Sequence, residues 1–377
     1  MRCDYYDAGQ CRSCELMGVA ATDQLTAMQR DLEVALAGVV PADVWRPPAH
    51  GPEEGFRNKA KLAVGGVRGA PTLGILDGER RGVDLRDCGL YEPGLHEAVV
   101  ALAALVADLD LTPYDVPERR GELKHVLVTH SPDGELMIRF VLRSRAQLGK
   151  LKAGLPELRR RLPHARVVTA NLLPRHEALL EGAEEIWLTR DRQLPMRVAD
   201  LTLHLRPRSF FQTNTVVATH LYAQAATWVG GLEVATAWDL YCGVGGFALT
   251  AATALPRATV TGVEVAAEAV RSAQQAATES GLDGRVGFVA ADATSYAEAH
   301  DAPDLVIVNP PRRGLGAELT DRLERSPTTH LLYSSCDAGT LAADLRAMPS
   351  LRVVHARGFA MFPQTRHAEV LVLARRG

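Results

Sequence analysis

In WDLYCGVGGFAL, residues 238–249, an apolar strand-like run breaks at a glycine-rich turn and resumes as an apolar run of helical character. Gly243, Gly245 and Gly246 stand between the two, where missing side chains let the backbone approach a ligand closely. Downstream, strand-like runs alternate with helical ones: TVTGVEVAAEAV from Thr259, VGFVAADAT from Val286, PDLVIVNPPRRG from Pro303, HLLYSSCD from His330 and HAEVLVLARR from His367. Upstream, residues 216–229 read as a helix leading into the turn. This alternation predicts an open, largely parallel sheet with helices on both faces, a Rossmann-like α/β domain.

In such sheets ligands gather at the carboxyl ends of the strands, beside the topological switch point. Glu264 ends the strand after the turn, eighteen positions beyond Gly246, where a carboxylate can bind both ribose hydroxyls. Asp292 ends the third strand, placed for an adenine amino group. The turn reads Gly-x-Gly-Gly, not the Gly-x-Gly-x-x-Gly of dinucleotide sites. With Asp239 ahead of it, it fits S-adenosylmethionine (SAM) better. Any one of these carboxylates would pass for a solvated strand end; the ordered set points to a SAM site.

Asn309, Pro310 and Pro311 form the exit of the fourth strand. Base-amine methyltransferases use such a turn, but they follow it with an aromatic, and Arg312 follows here. Cys336 stands at the tip of the next strand. A free buried cysteine is commonly inert, whereas a thiolate needs an electropositive setting, which Arg312 or Arg313 supplies. A thiolate beside a SAM site has a definite use. Carbon 5 of uracil is too weak a nucleophile to take a methyl group until a thiolate adds at carbon 6. A base must then remove the carbon 5 proton, and Glu369, ahead of the last strand, is placed for that role.

The N-terminus carries a different pattern. Cys3, Cys11 and Cys14 are spaced Cys-x7-Cys-x2-Cys. The chain opens without a charged-then-apolar leader, so export is not expected, and a metal site is a better default than a disulfide framework. Cys88, in the polar loop GVDLRDCGLYEPG, is the choice for a fourth ligand, because Cys242 sits in the glycine turn and Cys336 ends an apolar run. Zinc and iron–sulfur clusters both use four thiolates; a single Cys-x2-Cys knuckle tilts toward iron–sulfur.

A chain of 377 residues, 47% hydrophobic and 23% charged, predicts a soluble protein of two or three domains. No apolar run reaches the length that crosses a bilayer. The net charge of −3 argues against a nucleic-acid binder, but residues 116–175 hold thirteen Lys or Arg against five Asp or Glu. That block is either a phosphate-binding surface or a set of solvated helix faces. Residues 56–205 carry short strand-like runs and one clear helix, LGKLKAGLPELRRRL, with Pro156 read as marking a first turn. Asp23–Ala37 reads as an amphipathic helix capped by Thr22 or Asp23. The expected organisation is an N-terminal mixed α/β module, 1–205, and a SAM-dependent methyltransferase domain, 206–377.

Taken together, SFFQTN, DLYCGVGG, NPPRRG, YSSC and HAEV resemble, in order, the RNA uracil-5-methyltransferases. The cysteine triplet, with GFRNKAK and RGELKHVL, is similar to their iron–sulfur branch, and the likeness spans nearly the whole chain. The resemblance implies a [4Fe-4S] cluster on Cys3, Cys11, Cys14 and Cys88. It implies SAM contacts from Gln212, Tyr241, Glu264 and Asn309, beside the Gly243, Gly245 and Asp292 already read as cofactor-binding. It implies Cys336 as nucleophile, Glu369 as base, and the helix near 22–38 packed on the catalytic domain. The implied partner is 23S rRNA, with one uridine of a loop or unfolded segment flipped out for reaction. The expected setting is cytoplasmic, with no membrane and no protein partner. Tyr241 stands where phenylalanine is usual, and Asn309 replaces an aspartate of many relatives. No OB-like domain precedes the cysteines, which leaves the RNA grip to the cluster module and the basic block. The rival readings are a base-amine methyltransferase and a non-catalytic, zinc-stapled RNA-binding protein.

Overall fold

The alternating half of the chain builds an eight-stranded sheet. The computed structural model describes residues 1–377. The strands lie in the order Trp45–Ala49, Leu351–Phe359, Glu369–Arg376, His330–Ser335, Leu305–Val308, Thr236–Leu240, Thr259–Glu264 and Val286–Ala290. Leu305–Val308 is buried along its whole length, as expected of a strand covered on both faces. Chain order reverses between Thr236–Leu240 and Leu305–Val308, so the switch point lies where the glycine turn and Asn309 emerge.

Glu369–Arg376 alone runs antiparallel to its neighbours, pairing Val370 with Ser335. Its first residue therefore lies at the edge where the parallel strands end. That is how Glu369 comes to face the end of His330–Ser335 and Cys336.

The chain divides into two compact units, one of residues 1–18 and 52–196, the other of 19–51 and 197–377. The division at 205/206 read from the sequence is thus corrected to 196/197. The strand Leu201–Leu205 belongs with the second unit, where His204 bonds Glu279 of the helix Ala267–Glu279. Residues 19–51 also belong to the second unit. Leu32 of the helix Ala21–Ala35, with Leu36 and Val40 beyond it, packs in one core with Leu345, Met348 and Leu351. The helix begins after Ala20 with no side-chain cap. Thr22 and Asp23 fall inside its first turn instead of capping it.

The other unit is a seven-stranded mixed sheet in the order Gly82–Asp84, Ala70–Leu76, Lys59–Val67, Leu123–His130, Leu136–Leu142, Ala165–Leu172 and Glu184–Trp187. Its single parallel pair, Leu136–Leu142 with Ala165–Leu172, is joined through the helix Leu148–Arg161. That helix and Pro93–Asp108 share one core with the sheet, in which Leu95, Leu102 and Leu158 meet Leu62, Val126 and Phe140. Pro156 sits inside Leu148–Arg161, not at its first turn. It is exposed, so the Lys152 carbonyl left without a helical N–H can turn to water. No helix is long and apolar enough to cross a membrane.

Candidate active site

The strand Thr236–Leu240 ends in a backbone under strain. Tyr241 has φ 65°, a left-handed conformation that side chains disfavour and that is commonly kept at functional sites. Gly243 follows with φ 54° and open space where a side chain would stand. Gly245, φ 89°, begins the helix Gly246–Ala254 without a side-chain cap. Glu264 is pinned beneath this loop, accepting from the Gly243 N–H at 3.2 Å and the Ala266 N–H at 2.9 Å.

Asp239 is buried, and one carboxylate oxygen accepts from the Ala248 N–H at 2.8 Å. Its other oxygen is buried with no partner. Burial pushes its pKa up to about 8; the Ala248 N–H opposes the rise and nearby Glu264 adds to it. Asp292 caps the helix Ala293–Ala299 by accepting from the Ser295 N–H at 3.0 Å. Asn309 is half-buried just past Leu305–Val308, and Gln212 is buried. Burial raises the Tyr241 phenol, with the Asp292 charge adding and Arg313 opposing, so these three side chains share one neighbourhood. Cys242 is buried and its thiol is pushed well above the usual range by that burial, which makes it an inert packing residue.

At the reactive end, burial raises the Cys336 thiol and the Glu369 charge raises it further. Arg312 opposes both through its charge and a hydrogen bond to the thiol. Glu369 is 1% exposed, and burial lifts its carboxyl to about 7. The Ser334 hydroxyl donates to one of its oxygens at 2.5 Å. Tyr222, from the helix Thr215–Val229, is raised by burial and then by Asp239 and Glu369, so its phenol lies near both of those carboxylates.

The other unit gathers four free thiols. Burial pushes Cys14 up to about 11, and Cys88, Cys11 and Cys3 each add to the rise, in that order. Cys14 and Cys88 pack with Phe56, Leu90, Met1 and Met17. The Leu90 N–H points at the Cys88 sulfur. Arg57 lies close enough to lower both the Cys14 and Cys88 thiols, and its buried Nε has no partner. The four thiols are neighbours without being closed into a ligating geometry. Four soft donors beside a cation with an unspent N–H fit an anionic four-thiolate centre.

Residues 200–332 match the family model described as the methyltransferase small domain. The 23S rRNA (uracil(747)-C(5))-methyltransferase RlmC of Salmonella typhimurium LT2 is 48% identical over 378 residues, covering 100% of both chains. The RlmC protein of Salmonella enteritidis PT4 matches to the same extent. The chain belongs to the RlmC family. In fold, this RlmC-family chain is similar to the Pyrococcus abyssi tRNA (uracil-54, C5)-methyltransferase solved with S-adenosyl-L-homocysteine, at TM-score 0.79 and 22% identity over 96% of this chain and 85% of that one.

The structure of this RlmC-family member also brings forward residues that sequence reasoning passed over. Ser334, Tyr222 and Arg57 join the two clusters only through folding. Two others left a signal. Val265, 75% exposed beside Glu264, and Phe210, 71% exposed two residues before Gln212, are apolar side chains left in water next to site residues. The basic block reads differently in three dimensions. Arg160 pairs with Glu157, Arg161 with Asp108 and Glu157, Arg139 with Glu181 and Glu185, Arg145 with Glu184, and Lys150 with Asp110. Much of its positive charge is answered by carboxylates from outside the block.

Proposed function

We propose that this protein methylates carbon 5 of a uridine in 23S rRNA, the base numbered 747 in the names of its relatives, with SAM as methyl donor. One juxtaposition carries the reading. A thiol held by Arg312 faces a buried carboxylate at the strand edge that also bears the glycine turn, Glu264 and the unpartnered oxygen of Asp239. Gln212, Tyr241, Gly243, Gly245, Glu264, Asp292 and Asn309 are assigned to SAM, which supplies an electrophilic methyl group.

Arg312 stabilises the thiolate of Cys336 against the burial and the nearby carboxylate that disfavour it. The thiolate adds to carbon 6 of uracil, and carbon 5 becomes nucleophilic enough to take the methyl group. Glu369 then accepts the carbon 5 proton. The freed electron pair closes the 5,6 double bond, and the carbon 6–sulfur bond breaks to return the Cys336 thiolate. A carboxyl held near neutrality by burial suits a base that works around pH 7. The target base must leave its stack to reach a thiol in this setting, so the substrate is a loop or an unfolded RNA segment.

RNA carrying 5-fluorouridine tests the mechanism, because fluorine at carbon 5 cannot be removed as a proton. A covalent protein–RNA adduct that disappears in Cys336→Ala is expected; no adduct in the native enzyme overturns the reading.

Cys3, Cys11, Cys14 and Cys88 are assigned to a [4Fe-4S] cluster that ties the first residues to the loop around Cys88. The reading is supported by the neighbouring thiols and by the unspent Nε–H of Arg57. The unit of residues 1–18 and 52–196 is assigned the RNA grip. Anaerobically purified protein should show a broad visible absorption band with iron and sulfide. Zinc without that band would replace the assignment.

A further inference from the structure

Glu369 is a carboxylate with little company. It is the first residue of its strand, which is paired on both sides, and the residue opposite it on Leu351–Phe359 is the apolar Phe359. The groups that face it are few: Cys336 from the end of His330–Ser335 and Tyr222 from the helix Thr215–Val229, with Arg312 reaching Cys336 from beyond Leu305–Val308. No cation pairs with the carboxylate. Its one hydrogen bond is the 2.5 Å donation from the Ser334 hydroxyl to Oε1. Ser334 is 1% exposed, so water does not compete for that hydroxyl. It also lies on the strand His330–Ser335, two residues before Cys336. Side chains alternate along a strand, so Ser334 sets the carboxylate from the face toward which the thiol projects.

We propose that Ser334 is the positioning residue of the general base, its hydroxyl holding Glu369 Oε1 so that Oε2 is presented to the proton on carbon 5 of the methylated base. The inference rests on the reading of Glu369 as base and adds a residue to it. When Oε2 takes the proton, the carbon–hydrogen pair forms the 5,6 double bond and the sulfur leaves carbon 6 as thiolate. The Ser334 proton stays on Ser334 throughout. Its hydrogen bond opposes the effect of burial and keeps a larger share of the carboxyl ionised at neutral pH. Losing it raises the carboxyl further, so the proton-abstracting form appears only at higher pH. Proton removal follows methyl transfer, so the loss falls on release of the enzyme and leaves the first methyl transfer intact.

The test is single-turnover and steady-state methylation of a 23S rRNA fragment with labelled SAM, over pH 6 to 9, in Ser334→Ala, Ser334→Thr and Glu369→Gln. In Ser334→Ala, methyl incorporation in the first turnover should match the native enzyme. A methyl-labelled covalent protein–RNA band should accumulate, and the rising limb of the release rate should move up by about one pH unit, the scale of one lost hydrogen bond to a charged group. Ser334→Thr keeps the hydroxyl and should restore both. A native release profile in Ser334→Ala overturns the proposal. So does a loss that is equal at every pH and not rescued by threonine, which would mark a structural role. Glu369→Gln separates the two claims. If it releases product normally, the base assignment fails and Ser334 falls with it; if it traps the adduct while Ser334→Ala does not, Ser334 alone is wrong. Should the alanine variant fold poorly by thermal melt, Ser334→Cys, a near-isosteric weaker donor, should show a smaller shift in the same direction, and an unshifted limb there overturns the proposal.

Discussion

Cys14 and Cys336 are both thiols raised by burial, and their neighbours set them on opposite courses. Cys14 has Arg57 to lower it, as Cys336 has Arg312, but three more thiols beside it add to the rise and it packs among Phe56, Leu90, Met1 and Met17. A metal centre bound there would take the four as thiolates. Cys336 has one arginine to stabilise its thiolate and one carboxylate to oppose it. The first setting suits the proposed bound centre, the second the proposed thiolate that forms and leaves within a turnover. The side chain is the same and each has an arginine beside it; further thiols surround the one and a carboxylate faces the other.

The largest test of that division is Cys336→Ala, expected to lower methylation of a 23S rRNA fragment by roughly 10⁴-fold or more with an unchanged melting temperature. A large loss of stability instead would make Cys336 a packing residue like Cys242. Cys88→Ser should reverse the pattern. It should abolish the visible absorption band and lower the melting transition by on the order of 10 °C. If it keeps both, the cluster assignment goes.

Much of this was legible beforehand, for identifiable reasons. The glycine turn, Glu264, Asp292, Cys336 and Glu369 all lie at strand ends, and strand ends can be found from alternation alone. Asn214, which caps the helix Thr215–Val229 by accepting from Val217, sits in the quoted SFFQTN. The helix Pro93–Asp108 was missed because leucine, valine and alanine surround it almost completely, leaving no polar face to give it a period. The Ser334–Glu369 bond spans 35 positions, and only the antiparallel return of the last strand closes it. The linear charge count is incomplete for a similar reason. Asp108, Asp110, Glu181, Glu184 and Glu185 lie outside residues 116–175, yet the fold brings them onto its arginines and lysine.

Smaller effects sharpen the comparison from the acid side. The Glu369 carboxyl is raised to about 7 in the folded chain, above its ordinary value of 4.5. The folded state then holds a proton that the unfolded state has lost between those values, so stability falls as pH rises through the window. Glu369→Gln removes that dependence. It should be more stable than the native protein at pH 8, by roughly 2–3 kcal/mol at most, and no more stable below pH 4. Asp239, raised to about 8, keeps a second slope of the same sign in both proteins. Denaturant melts across pH decide it; a gap independent of pH would remove burial as the source of the raised carboxyl.

The smallest effect is expected at Arg160→Gln, because Arg160 is already paired with Glu157 on an exposed helix face. RNA affinity should change by less than about twofold, as for a solvated surface ion pair. Arg159, exposed on the same helix, is the better probe of phosphate contact. A steep loss of salt dependence in Arg160→Gln would restore the basic block as an RNA surface.

The edge strand Trp45–Ala49 has a consequence for how the chain is made. It pairs with Leu351–Phe359, and Arg357 donates to the Pro47 carbonyl across 310 positions of sequence. On the ribosome these residues emerge early and wait for nearly the whole polypeptide before their partner exists. Until then Trp45–Ala49 has no strand to pair with, and its free N–H and C=O groups are a template for pairing with another nascent chain. A catalytic fragment starting at Arg197 would carry that open edge permanently. Its solubility would depend on supplying residues 19–51 in trans, as a detached strand and helix that complete the sheet from outside.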